Sequence, residues 1–292
     1  MLLTLSQQQE LVRKGLAVAK TNGKFITFKY HRKVMYDYLW KKYPELLECR
    51  GHTYDLTNGN LVLAAPTKSF NYLEDGHWKD VPLDTKVNIY KKFNGFMATM
   101  SVYEGEVVIG TTGTTNSDYA KMAREMIYRD FDEHNIRNNF GTTGTYLFEI
   151  CHPNDPHIVK EKHEAVYLGY RSHVTDKHYT AGEYVPVASS EWWHDITLGK
   201  ALEIVRYVKH EGFMVYDTAG KVCKMKSPYY VGKKKLMRSK DKFIEQLWNE
   251  RGLDQLPEMW HSTVLLLIQD IHEADWRAMP EQDRRKVLES YE

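Results

Sequence analysis

Cysteine is scarce in this chain of 292 residues: Cys49, Cys151 and Cys223 stand far apart, with no C-x-x-C pair among them. An odd, scattered set gives no disulfide framework and points to reduced thiols in a cytoplasmic protein. Metal-ligand spacing is missing as well. The 13 histidines include no H-E-x-x-H, and no Cys/His cluster surrounds His152, His157 or His163, so a structural zinc is not expected. There is no apolar run of about 18 residues, and Met1-Leu2-Leu3-Thr4-Leu5 is too short to be a signal peptide, so no membrane span is expected. Charge of one sign is absent too. A net charge of +1 neither demands nor excludes a nucleic-acid partner, because a neutral total can hide a basic groove. The stretches Gly110-Thr111-Thr112-Gly113-Thr114-Thr115 and Gly141-Thr142-Thr143-Gly144-Thr145 lack the G-K-[ST] ending of a P-loop and read as turns.

What remains is an ordinary globular composition, 42% hydrophobic and 27% charged, in a chain long enough for a large domain and a small one. Apolar spacing predicts helices over residues 7–20 and 31–43, a helical amino-terminal approach. From Glu48 to Val108 the period shortens. Strands are expected at 52–56, 61–65, 86–90, 96–102 and 106–109, with a turn at Thr57-Asn58-Gly59-Asn60. Ser117 is placed to cap a helix running to about His134. Further strands are expected at 146–151 and 165–170, a helix at 196–210, and a hairpin pairing 213–217 with 221–226. The class is therefore α+β with a mainly antiparallel sheet over residues 1–231. Residues 232–292 show only helical intervals and are expected to form a small helical carboxy-terminal domain.

Several segments carry chemistry. Lys92-Phe93-Asn94-Gly95 sits between two strands, which places a lysine where backbone can approach a phosphate. A lysine attacks only when its amine is partly neutral, so burial or nearby cations must lower an ordinary pKa of about 10.4. The alternation in Lys221-Val222-Cys223-Lys224-Met225-Lys226 puts Lys224 and Lys226 side by side on one face. Glu149 stands in the apolar run Tyr146-Leu147-Phe148-Glu149-Ile150-Cys151 and must meet a cation, a ligand hydroxyl or water. Glu211 precedes the partner strand of the lysine hairpin, a second acid near those cations. Arg50 and Lys68 are suited to anionic groups, while Phe70 either stacks or packs. Lys233-Lys234-Lys235 with Arg238 reads as a solvated face or an RNA-phosphate contact, and Trp192-Trp193 as packing residues.

Taken in order, Glu48-Cys49-Arg50-Gly51, Lys68-Ser69-Phe70-Asn71, Lys92-Phe93-Asn94-Gly95, Leu147-Phe148-Glu149, Glu211-Gly212-Phe213 and Lys224-Met225-Lys226-Ser227 follow the motif series of covalent nucleotidyltransferases. The series most resembles the T4-type phage RNA ligase 1 family, over roughly Glu48 to Tyr230. The resemblance implies an antiparallel-sheet nucleotidyltransferase fold, an ATP-grasp-like ligase domain. It also implies an ATP-dependent RNA ligase that joins 5′-phosphate and 3′-hydroxyl ends through a lysine–AMP intermediate and an RNA-adenylate. Lys92 would be the nucleophile, with Lys224 and Lys226 beside it in catalysis. Arg50, Lys68, Phe70, Gly95, Glu149, Arg171, Glu211, Lys224 and Lys226 would bind ATP. Glu149, Glu211 and, through water, Asn94 would serve Mg²⁺ or Mn²⁺.

Asn94 departs from the family pattern K-x-D-G: it keeps the shape of the acid and loses its charge. The partner implied is an RNA end, single-stranded or in nicked tRNA, in the cytoplasm, that of the host for a phage-encoded chain. Two other readings stay open. One is a capping-type guanylyltransferase or DNA ligase, which shares the lysine chemistry but usually appends a strand-rich OB domain where this tail reads helical. The other is an inactive RNA-binding module.

Overall fold

The computed structural model describes residues 2–180, 192–249 and 251–292. In chain order its elements are α1 (Leu5–Arg13), β1 (Ala17–Asn22), β2 (Phe25–Tyr30), α2 (Arg32–Tyr36), β3 (Arg50–Asp55), β4 (Leu61–Leu63), β5 (Phe70–Asn71), β6 (Lys86–Lys91), β7 (Phe96–Tyr103) and β8 (Glu106–Thr111). Next come α3 (Asp118–Phe131), α4 (Glu133–Asn139), β9 (Gly144–Cys151), β10 (Glu164–Ser172), β11 (His178–Thr180), β12 (Trp192–Thr197), α5 (Leu198–Ile204), β13 (Gly212–Asp217) and β14 (Val222–Lys226). The tail is helical: α6 (Pro228–Met237), α7 (Asp241–Trp248), α8 (His261–Asp270), α9 (Glu273–Ala278) and α10 (Glu281–Ser290). The α+β class, the antiparallel sheets and the helical carboxy-terminal region match the sequence reading. Among the described residues no helix is long and apolar enough to cross a membrane.

The described residues divide into two compact units. The first takes in 2–68, Gly95–Asp155 and 162–180; the second takes in Ser69–Asn94, Pro156–Glu161 and the described residues from 192 onward. In the first unit, one sheet has the order β1-β2-β3-β4 and another the order β11-β10-β9-β7-β8. Ser117 caps α3 by accepting from the Ala120 N–H, as its position suggested. Ala120, Ala123, Met126 and Ile127 form the buried face of α3, and the last three join a core with Met100, Phe148 and Ile150.

The amino-terminal helical reading holds only in part. Helix α1 ends at Arg13, Gly15 turns the chain at φ +66°, and Ala17–Asn22 is a strand. Gly23-Lys24 then closes a hairpin onto β2, whose Phe25, Ile26, Thr27 and Phe28 favour a pleated surface. Of residues 31–43 only Arg32–Tyr36 is α-helix. Likewise 196–210 begins as strand β12 and continues as the short α5.

In the second unit the sheet order is β12-β6-β13-β14-β5, with β5 parallel to β14 and the other pairs antiparallel. Ile89, Phe213, Val215, Cys223 and Met225 pack from this sheet against Leu198 and Ala201 of α5. The helical tail gathers around Trp260, Trp276, Leu267 and Leu288, and Ile158, Val159, Tyr229 and Tyr230 belong to the same cluster. Two expectations change here. Trp192 and Trp193 are 53% and 37% exposed on edge strand β12, where Trp193 meets Phe213 only edge-on. Lys233 is buried, not solvated. All three cysteines are buried, and none forms a disulfide among the described residues.

Candidate active site

Strand direction assembles the main group. Because β13 is antiparallel to both β6 and β14, the end of β6, the start of β13 and the end of β14 fall at one end of the sheet, with Phe213 opposite Lys91 and Gly212 opposite Lys226. The Lys92 N–H donates to Gly212 O at 2.8 Å, extending the β6–β13 ladder by one residue. Gly212 is required there: its φ is +127°, and a Cβ would lie 2.0 Å from Met225 O. Lys92, Glu211 and Lys226, each just outside or at the end of a strand, are thereby brought together.

Glu211 is 4% exposed and central to this group. Its Oε2 lies 3.1 Å from Lys92 Nζ and accepts from Asn94 Nδ2 at 3.0 Å, while its Oε1 lies 3.8 Å from Lys226 Nζ. Burial keeps water from screening these charges, so each contact is worth more than a surface ion pair. The alternation predicted for β14 is present: Cys223 and Met225 enter the core and Lys224 and Lys226 stay half-buried on the other face. Phe70, paired in register with Cys223 on β5, packs; its ring stacks on His77 at 3.9 Å between centroids.

Asn94 is engaged at both ends of its amide. Its Oδ1 accepts from the N–H groups of Ile158 and Val159 at 2.9 and 2.7 Å, while its Nδ2 donates to Glu211. An amide meets both demands and a carboxylate only the first. The 156–161 segment is fastened further by Glu161, whose Oε2 lies 3.2 Å from Lys91 Nζ, and by Arg285, which donates to Pro156 O at 2.8 Å.

In the first unit, Gly95 and Glu149 come together. The Gly95 N–H donates to Glu149 Oε1 at 3.1 Å, and a Cβ on Gly95 would lie 2.2 Å from Ile150 O, so this position also needs glycine. Arg171 is 1% exposed and fully engaged with protein. It donates to Asp176 and to Ala65 O, and Nη2 lies 2.8 Å from Glu48 Oε2. Beside it, burial first and the Arg171 charge second push the His52 pKa down to about 3. Glu48 also accepts from Thr67 Oγ1 at 2.6 Å, so Arg171 holds the start of β3 and the strand exit near Lys68 together. Arg50 is half-buried on β3, and Lys68 Nζ lies 5.0 Å from the Trp40 ring centroid.

Of the predicted site residues, the structure brings Lys92, Glu211 and Lys226 into one group and places Lys224 on the same face of β14 as Lys226. The sequence reading gave no role to Ile158, Val159 and Glu161, whose only signal was an apolar pair, Ile158-Val159, inside an otherwise polar loop. Among the described residues no three His, Cys, Asp or Glu side chains are placed to hold a metal ion.

Comparison with known proteins fits this architecture. Two archaeal ATP-dependent RNA ligase structures superpose with TM-scores of 0.53 and 0.56 at 13% and 14% identity; each match covers 98% of this chain and 75% and 80% of theirs. A protein from Aquifex aeolicus, provisionally assigned as an ATP-dependent DNA ligase, superposes at 0.54 with 12% identity over 98% of this chain and 76% of its own. At such identities the likeness shows a shared fold. A search among proteins of curated function finds no match. The sequence itself matches the RNA ligase family of T4 RNA ligase 1 type over residues 48–230, which hold every motif of the series, and the chain belongs to that family.

Proposed function

We infer that the protein uses ATP to join RNA 5′-phosphate and 3′-hydroxyl ends through a covalent lysine–AMP intermediate. The observation that carries the reading is the buried Glu211 carboxylate shared by Lys92 and Lys226, in a chain of the RNA ligase family. Lys92 Nζ attacks the α-phosphorus of ATP. A P–N bond forms, the bond to the β-phosphate oxygen breaks, and pyrophosphate leaves with the electron pair. Glu211 Oε2, in contact with Nζ, aims the amine and is within reach of the proton it sheds. An RNA 5′-phosphate oxygen next attacks the same phosphorus, breaking the P–N bond and restoring the amine. The 3′-hydroxyl of a second end finally displaces AMP from the RNA-adenylate.

Lys226 and Lys224 face the phosphate charge that develops in each transfer, where alignment and fixed charge do most of the work. Glu149, Gly95, Arg50 and Lys68 are proposed to serve the nucleotide. Arg171 is proposed to act on the nucleotide through Glu48 and the strand it holds. Mg²⁺ or Mn²⁺ is proposed to arrive with the ATP phosphates. Glu211, already shared by two lysines, and Glu149 are each proposed to serve such an ion, and a lone carboxylate at either place suits one that keeps phosphate and water ligands. When bound, the ion would neutralise phosphate charge. Asn94, whose Oδ1 accepts two backbone N–H groups, is assigned to holding Glu211.

The natural substrate is proposed to be a broken single-stranded RNA, such as a nicked tRNA loop. Incubation with α-labelled ATP and a divalent cation should leave label on the wild-type protein and none on Lys92→Ala. Chasing with 5′-phosphorylated RNA should move the label to RNA. Equal labelling of the two proteins, or a preference for GTP, would overturn the reading, and comparing nicked tRNA loops, open single strands and nicked duplexes would rank the substrates.

A further inference from the structure

Helix α6 starts two residues after Lys226, capped by Ser227, and its lysine run sends three ammonium groups to different surroundings. Lys233 lies 3.3 Å from Glu289 and 2.9 Å from Glu292. Lys235 donates to Gln255 O at 2.9 Å. Lys234, half-buried, has no carboxylate at ion-pair distance among the described residues. It stands one turn beyond Tyr230 and shares that ring with Lys226, their ammonium nitrogens 5.8 and 5.2 Å from its centroid.

Its surroundings are of its own sign. Burial, followed by the charges of Lys226 and Arg238, pushes the Lys234 pKa down; Glu211 opposes this and Lys92 adds to it. Glu211 is already shared by Lys92 and Lys226, and Arg238 lies 2.9 Å from Glu281. A half-buried cation kept among cations with no acid of its own is unfavourable in the free protein and becomes favourable once an anion arrives.

We propose that Lys234 is a phosphate-binding residue of the Lys92–Glu211–Lys226 site. The reading rests on the RNA ligase function above, and the group recognised is a phosphate, either of the ATP tail or at the RNA 5′ end. Lys234 is a substrate contact that the motif series does not contain, since the series ends at Ser227.

The test compares wild type with Lys234→Gln, Lys234→Arg and Lys235→Gln in two assays: formation of the lysine–AMP adduct from α-labelled ATP, and transfer of AMP from preformed adduct to 5′-phosphorylated RNA. Lys234→Gln is expected to lose about tenfold in one of them, the value of a charge-assisted contact. Lys234→Arg should recover most of the loss, and Lys235→Gln should match wild type. Loss in the first assay assigns the phosphate to ATP, and loss in the second to RNA.

Because Lys234→Gln relieves like-charge crowding, its melting temperature should equal or exceed that of wild type. Wild-type rates in both assays, failure of the arginine variant to restore activity, or a lower melting temperature accompanying the loss would each overturn the proposal. If wild type itself forms no Lys92-dependent adduct, the functional reading fails. Lys234 is then judged by calorimetric binding of inorganic pyrophosphate, which Lys234→Gln should weaken and which equal affinities would refute.

Discussion

The carboxylate of Glu211 lies 3.1 Å from the amine of Lys92, and the same carboxylate reaches toward Lys226. Replacing Glu211 with Gln keeps the shape and removes an anion that the two lysines share. Adduct formation from labelled ATP is expected to fall by about a hundredfold, the usual scale for a positioned acid–base or electrostatic group. An initial rate within about threefold of wild type would show that Glu211 is not part of the reacting group.

Asn94→Asp places a second carboxylate where the amide now donates to Glu211 at 3.0 Å. Two acids that close cannot both ionise without cost, and the Nδ2 bond is lost. The variant should lose about 1–3 kcal/mol in urea unfolding at neutral pH. Asn94→Ala should lose a similar amount for another reason, since the Ile158 and Val159 N–H groups are left without their acceptor. Unchanged midpoints in both variants would mean that the amide does not secure the 158–159 segment.

Arg171 is nearly inaccessible and binds Glu48, Asp176 and Ala65 O at once. Truncation to Met strands those acids, and a loss of about 3–5 kcal/mol is expected. Lys at this position should not restore it, because one ammonium cannot reproduce the guanidinium fork. Denaturant titration of the three proteins, with soluble yield as a first indicator, checks both statements.

Acid should weaken the fold through His52. Its folded pKa, about 3, lies below the ordinary value of 6.5, so below 6.5 the unfolded chain takes up a proton that the folded one refuses. The stabilisation is therefore complete above about pH 6.5 and is lost as pH falls toward the folded value, by up to about 1.4 kcal/mol per pH unit. His173, pushed down to about 4 mainly by burial, acts in the same direction over the upper part of that range. Urea midpoints at about pH 7.5, 6 and 5 should fall steadily, and a flat profile that His52→Gln leaves unchanged would contradict the assignment.

How much of this was legible beforehand follows the range of the interactions. The β14 alternation is local, and it correctly separated Lys224 and Lys226 from Cys223 and Met225. The hairpin loop at Gly23-Lys24 is equally local, but the apolar spacing of residues 7–20 before it suited a single helix, and the strand Ala17–Asn22 was missed. Burial of Lys233 was not readable, because one of its acids, Glu289, lies 56 residues away on another helix. The same holds for Asn94, whose backbone partners lie 64 and 65 residues downstream. A motif reports which residue types are present; only long-range pairing decides what each one touches.

Asn94 and Glu211 are separated by 117 residues, and they meet only because β13 lies between β6 and β14. During synthesis, Lys92 therefore leaves the ribosome long before its acid does. A nascent chain holding Lys92 but not yet β13 and β14 has a nucleophile with nothing to aim it. The emerging polypeptide should be inert toward nucleotide until the last strand of that sheet has joined.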